Sequence, residues 1–236
     1  MCTVSWLHAD DGYHLLSNRD EKRTRSLALP PTVHAQGGLR IVAPTDRDFG
    51  GTWIGVNERG VSVCIVNGPP TPRDHQVSLS RGLIVQGLLD SASIDEVLER
   101  LTSAELGDVA PFQIVAIQPE IPALVFNWDG STRTADVNAD TLMPLISSSF
   151  DPEGVEVERR ECFQGGGIAD VHALERIHAS HGVQPDAYSV CMHRPDAHTV
   201  SFSRVSVTPT AVQFAYTPTA PCKSVPPIIL SIPRQR

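Results

Sequence analysis

Apolar and polar positions alternate from the start of the chain. Residues 2–8 (Cys-Thr-Val-Ser-Trp-Leu-His) and 13–18 (Tyr-His-Leu-Leu-Ser-Asn) are strand-like runs on either side of Asp10-Asp11-Gly12. An Asp-Gly step between two such runs predicts a β-hairpin. The charged stretch 18–29, ending at Pro30-Pro31, reads as loop, and 39–43 as a short strand. Residues 52–56 and 61–66 predict a second hairpin around Asn57-Glu58-Arg59-Gly60, closed by 69–72. Helical spacing then takes over. Leu83, Ile84 and Leu88 share one face of 80–90. Ser93 followed by Glu96 is a capping-box pattern ahead of Ile94, Val97, Leu98 and Leu101 at i, i+3, i+4 and i+7. Strands resume at 112–118, 124–128 and 142–147. A helix over 168–181 precedes strands at 188–193, 199–207 and 211–217. Grouped strands and grouped helices argue for an α+β fold over alternating βαβ units. The expected architecture is two antiparallel sheets packed face to face, with the 80–103 helices on one outer face and the 168–181 helix on the other. No repeat or linker interrupts the chain, so one domain over 1–236 is expected.

Composition narrows the function classes. With 236 residues, 41% hydrophobic and 19% charged, the chain can bury a sizeable core. Acidic residues number 27 against 19 basic, a net charge of −8 that disfavours sequence-independent nucleic-acid binding. No apolar run approaches the roughly 18 residues of a membrane span. Residues 1–11 lack the basic-then-apolar order of a secretory signal. Five cysteines, an odd number without a Cys-x-x-Cys pair, disfavour a disulfide framework and a zinc knuckle. A cytoplasmic, reduced-compartment protein is expected, with no reading of its oligomeric state.

Several motifs weigh little. Gly165-Gly166-Gly167 ahead of a helix lacks the Gly-Lys-Ser/Thr of a phosphate loop and reads as a flexible connection. His172, His178 and His181 lie near one another on a predicted helix, but no acidic or cysteine partner sits at matching spacing, so no metal is expected. Cys191 and His193 share one face of a predicted strand, a pattern more often packing than a catalytic dyad. Trp6, Trp53 and Trp128 read as core aromatics.

Cys2 carries more. Loss of Met1 would leave it with a free α-amine, whose ordinary pKa of about 7.7–8.0 lies close to the thiol's value of about 8.5. Nucleophile and base would then belong to one residue, the amine taking the thiol proton and later delivering it to a leaving group. The hairpin supplies neighbours. A turn centred on Asp11 sets Cys2 across from Asp20. A two-residue Asp11-Gly12 turn sets it opposite Glu21, beside Arg19. In either register, alternation places Asn18 and Asp20 on one face and Arg19 and Glu21 on the other. A carboxylate there can orient the amine, and a guanidinium can favour thiolate or bind a substrate carboxylate.

Met1-Cys2, Asn18-Arg19-Asp20-Glu21, the run Gly50 to Gly60 (Gly-Gly-Thr-Trp-Ile-Gly-Val-Asn-Glu-Arg-Gly) and Ser80-Arg81-Gly82 together resemble the NRDE family, also known as the transport-and-Golgi-organisation protein two family. The likeness spans about the first 90 residues. The stretch 55–67 is also similar to the choloylglycine-hydrolase and penicillin V acylase group of N-terminal nucleophile hydrolases. That resemblance implies a four-layer αββα sandwich in which Cys2 is nucleophile and base, Asp20 supports the amine and Asn67 helps hold the oxyanion. It further marks Asn18, Arg19, Glu21, Trp53, Arg81 and Ser148 as substrate-binding or supporting residues. Two positions depart from the acylase pattern. Ser17 stands where an Arg precedes the Asn-x-Asp step, and serines of 145–149 stand where an Asn is expected. The implied activity is hydrolysis or acyl transfer on a small amide or acyl ester through a Cys2 thioester, with no metal or organic cofactor. The alternative is a non-catalytic binder of haem or an acyl metabolite. The active form is expected to begin at Cys2 without a propeptide, and its thiol to outpace Cys64, Cys162, Cys191 and Cys222, taken to lie in or beside packed segments. Arg19 and the adjacent amine are expected to lower its pKa.

Overall fold

The computed structural model describes residues 2–69, 79–182 and 184–235. Among them, thirteen strands form two antiparallel sheets. The first has the order β10 (Leu145–Ser147), β1 (Cys2–Ala9), β2 (Gly12–Lys22), β11 (Ala197–Val207), β12 (Ala211–Thr217) and β13 (Ile228–Pro233). The second is a meander in chain order: β3 (Leu29–Gln36), β4 (Leu39–Thr45), β5 (Ile54–Asn57), β6 (Ser62–Asn67), β7 (Phe112–Ile117), β8 (Leu124–Trp128) and β9 (Arg133–Asp136). The helices α1 (Arg81–Leu88) and α2 (Ile94–Ser103) cover the outer face of the second sheet, and α3 (Pro152–Gly165) and α4 (Val171–His178) cover the first. The fold is the expected αββα sandwich.

Burial follows from this layering. β5, β6 and β7 are covered on both faces and read as nearly continuous apolar runs. The main core lies between the sheets, joining Val4, Trp6, Leu15 and Phe214 of the first to Val42, Val56, Cys64 and Val115 of the second. A smaller core of Leu16, Phe163, Leu174, Ile177, Val190 and Phe202 glues α3 and α4 to the first sheet. Ser93 caps α2 as expected, its hydroxyl accepting from the Glu96 amide at 3.2 Å.

Several elements differ from the sequence reading. β2 continues through Lys22, and 29–36 forms β3 where loop was expected to lead into it. α3, β9 and β13 were not anticipated, and the glycines 165–167 end α3 and lead into α4. Residues 188–193 form no strand, only a single bridge from His193 to His198. The closing segment expected at 69–72 lies outside the described residues beyond Pro69.

The first hairpin takes neither expected register. Ala9 pairs with Gly12 across an Asp10-Asp11 turn, so Cys2 is the Cα partner of Arg19. Gly12 is needed for close approach instead of for the turn, because a Cβ there would lie 1.9 Å from the Val207 carbonyl oxygen on β11. The glycine is therefore drawn into the strand, and the turn moves one residue towards the N-terminus.

Candidate active site

Strands β1, β2 and β6, the loop between β4 and β5, and the start of α1 enclose a cavity of about 550 Å³. Of the residues singled out in the sequence, Cys2, Arg19, Asp20, Glu21, Trp53, Asn67 and Arg81 all line it. Cys2 lies at the start of β1 between two strands, paired with Arg19 on β2 and Ser147 on β10. It is 7% exposed, and its backbone N–H donates to Ser147 Oγ at 3.0 Å. Burial raises the Cys2 thiol above its ordinary pKa, and Arg19 works in the opposite direction. The expectation of a lowered thiol pKa is thus corrected: desolvation of the thiolate outweighs the nearby positive charge.

The alternation along β2 sorts the charged run into two environments, as its period of two requires. Arg19 points between the sheets. Its Nη2 donates to Asp46 at 2.8 Å and lies 3.5 Å from Glu21, and its guanidinium sits 4.6 Å from the centre of the Trp53 ring. Asp46 also receives Arg25 at 2.6 Å. Arg19 Nη1 and Trp53 Nε1 are buried and have no hydrogen-bond partner among the described residues. Cavity-lining residues thus present two donors whose bonding capacity is unmet.

Asp20 faces the helical layer. It is 1% exposed, accepts from Thr199 Oγ1 at 2.6 Å and pairs with Arg159 of α3 at 3.1 Å. Arg159, also 1% exposed, donates in addition to Thr3 Oγ1 at 2.6 Å. Asn18 shares that face but lies away from the cavity. Its amide donates to the carbonyls of His178 and Val190, both at 2.9 Å, and so clamps α4 and the segment before β11 to the sheet.

The glycine-rich landmarks seat the opposite wall. A Cβ on Gly51 would lie 2.3 Å from the backbone of Gly82, and the Thr52 amide donates to the Gly82 carbonyl at 3.0 Å. That close crossing of two backbones sets Trp53 and Arg81 side by side around the cavity. Arg81 donates to the Pro111 carbonyl at 2.9 Å, and burial lowers its pKa while Cys2 and Glu21 oppose the shift. Asn67, at the end of β6, completes the lining.

The serine that touches Cys2 is Ser147. Ser148 Oγ accepts from the Phe150 amide at 3.1 Å. Sequence reasoning also missed Arg159, Thr199 and Asp46. Arg159 sits in an unanticipated helix, and Thr199 on a strand whose place beside β2 the sequence does not give. Of the histidines, His178 is buried against Ser5 and Asn18, at 2.8 and 3.1 Å, and His172 is an exposed partner of Glu175. Cys64 and Cys191 are buried, but Cys162 is exposed on α3, contrary to its expected packing. No helix among the described residues is long and apolar enough to cross a membrane.

The fold is shared with a solved acylase, an acid amidase orthologue and a bile acid hydrolase. Penicillin V acylase from Agrobacterium tumefaciens superposes with a TM-score of 0.56 at 12% identity, covering 99% of this chain and 86% of that one. An N-acylethanolamine-hydrolyzing acid amidase orthologue from Caenorhabditis elegans gives 0.65 at 12% identity, covering 86% and 92%. A mutant conjugated bile acid hydrolase from Clostridium perfringens gives 0.58 at 11% identity, covering 99% and 92%. At 11–12% identity these superpositions show a common fold and nothing finer. No curated protein sequence matches the chain. The family model described as Transport and Golgi organisation 2 matches residues 1–151, well over half of the chain, which therefore belongs to that family.

Proposed function

We propose that the chain is a cysteine-type N-terminal nucleophile hydrolase or acyltransferase acting on a small amide or acyl ester. The observation that carries this reading is the position of Cys2. It opens the first strand, lines a cavity of about 550 Å³ and lies beside Arg19, with Ser147 at its backbone nitrogen. The names of the structural neighbours, an acylase, an amidase and a hydrolase, support the same chemistry.

With Met1 removed, the α-amine of Cys2 accepts the thiol proton and the sulfur attacks the substrate carbonyl. The tetrahedral oxyanion is held by donors facing the cavity, for which Asn67 is the candidate. The bond to the leaving amine or alcohol breaks as the Cys2 ammonium returns the proton to it, leaving a thioester. Water, or an acceptor nucleophile in the transferase case, attacks the thioester and regenerates the thiol. Because burial raises the thiol pKa, proton transfer to the adjacent amine takes the place of a standing thiolate. The Arg159–Asp20–Thr199 group braces β2 from behind. This chemistry calls on no metal or organic cofactor at Cys2.

Intact mass and peptide mapping after brief labelling with a β-lactone or chloroacetamide probe test the proposal. The expected result is a chain beginning at Cys2 and labelled there first, in a Cys162→Ser background that removes the exposed competitor. Retained Met1, or labelling spread over the other thiols, leaves a binding protein that uses the same cavity without turnover. A haem Soret titration repeated with Cys2→Ala then reads that alternative directly.

A further inference from the structure

Away from the Cys2 cavity, four ligand-type side chains meet where distant segments cross. His181 follows α4, Cys191 and His193 lie on the segment entering β11, and Cys222 sits in the short 3-10 turn Pro221–Lys223 after β12. One donor atom from each lies within 4.8 Å of the others. His193 Nε2 is 3.2 Å from His181 Nε2, 3.6 Å from Cys191 Sγ and 3.5 Å from Cys222 Sγ. A ring nitrogen offers either one proton or one lone pair, so hydrogen bonding cannot satisfy all three neighbours at once.

One central cation satisfies all of them. With zinc–nitrogen bonds of about 2.05 Å and zinc–sulfur bonds of about 2.3 Å, the edges of a regular tetrahedron are about 3.3 Å for N···N and about 3.6 Å for N···S. The three separations measured from His193 agree with those edges to within about 0.2 Å. We propose that His181, Cys191, His193 and Cys222 form a site of two cysteines and two histidines for zinc or a cation of the same class. Four protein ligands complete the tetrahedron and leave no position for substrate, which makes the site structural. On binding, the two thiols release their protons to solvent, and two thiolates with two neutral imidazoles balance the dication.

The site also has a line of contact to the candidate active site. The Cys191 amide donates to the Ser180 carbonyl at 3.0 Å. Met192 and Thr199 exchange two bonds: the Met192 amide donates to Thr199 Oγ1 at 2.8 Å, and the Thr199 amide to the Met192 carbonyl at 2.9 Å. Thr199 Oγ1 in turn donates to Asp20 at 2.6 Å. A cation that fixes Cys191 and His193 therefore fixes the segment holding the Thr199 hydroxyl on Asp20. The ligands escaped the sequence reading because Cys222 follows His193 by 29 residues, outside any short metal motif.

Metal content of the full chain, loaded with zinc and desalted, tests the assignment by elemental mass spectrometry. About one equivalent per chain is expected, released when a mercurial titrates the thiols. Cobalt(II) loading of the unaltered protein should give the strong visible bands of a tetrahedral ion with a thiolate-to-cobalt charge-transfer band. Cys222→Ser and His181→Ala should lose the equivalent, and Cys2→Ala and Cys162→Ser should keep it. Near-UV circular dichroism of each variant separates ligand loss from failure to fold. Substoichiometric zinc in the unaltered protein, an octahedral cobalt spectrum, full retention by folded Cys222→Ser, or a Cys191–Cys222 disulfide in protein prepared under reducing conditions overturns the site. None of these readouts depends on Cys2 chemistry.

Discussion

Arg19, the strand partner of Cys2, is paired with the carboxylates of Asp46 and Glu21 and stacked on Trp53, with one buried guanidinium nitrogen unpaired among the described residues. Its charge favours the thiolate while burial disfavours it. Replacing it with Gln removes the favourable part only, so the pH midpoint for Cys2 alkylation should move upward. Arg19→Lys should restore part of the shift, since it keeps the charge but loses the flat stacking surface. Alkylation rates followed against pH, with exposed Cys162 as internal reference, read this directly. An unmoved midpoint would show that Arg19 does not act on the sulfur. Asn67 allows a sharper kinetic test. If its amide holds the oxyanion, Asn67→Ala should lower kcat by about 10²–10³-fold and leave KM nearly unchanged. A change confined to KM would make Asn67 a ground-state binding residue.

At the scale of elements, what the sequence disclosed depended on burial. β1, β2, β5–β8, β11 and β12 carry long apolar or alternating runs because at least one face is covered, and their pattern predicts them. The unanticipated strands are β3, β9 and β13, all at sheet edges. β9 is exposed throughout, and β3 and β13 nearly so, with two prolines in β3 that an edge tolerates. Without a buried face β3 and β9 carry little pattern, and β13 carries only a short apolar run, Ile228 to Ile232, that periodicity alone does not assign to a strand. α3 was hidden for another reason: its buried stripe is Val155, Arg159 and Phe163, and the arginine in the middle breaks the apolar periodicity. The alternation that separates Asn18 and Asp20 from Arg19 was legible from β2 alone. The partners Arg159, Asp46 and Thr199 were not, because each comes from an element whose place beside β2 depends on the whole topology. Arg159 and Asp20 form an ion pair with both side chains almost wholly buried. Removing one partner of such a pair strands the other charge, so Arg159→Met should cost about 3–5 kcal/mol of unfolding free energy. Urea unfolding measures it, and a loss below about 1 kcal/mol would place the pair among weakly contributing surface bridges.

For the whole molecule, the helical layer on the first sheet carries a cost that stability measurements can read as a function of pH. His178, in the last turn of α4, is packed between Phe163 and Phe202 and bonded to Ser5 and Asn18 of the sheet. Burial, with a smaller push from Arg159, lowers its pKa to about 3. In the unfolded chain the imidazole titrates near 6.5. Above that value neither state holds the proton, and the contribution of His178 to stability is complete. Between about 6.5 and about 3 only the unfolded chain takes it up, so stability falls with falling pH, by at most about 1.4 kcal/mol per pH unit. His178→Gln keeps a polar side chain there but cannot titrate. Thermal or urea unfolding from pH 7 to pH 5, above the range where most carboxylates protonate, should therefore show a shallower decline for the variant. The two curves should converge towards acid even where the variant starts less stable at pH 7. Parallel curves would mean that His178 takes up its proton in the folded state as well, donating to Asn18 Oδ1 from Nδ1 and to the Ser5 hydroxyl oxygen from Nε2.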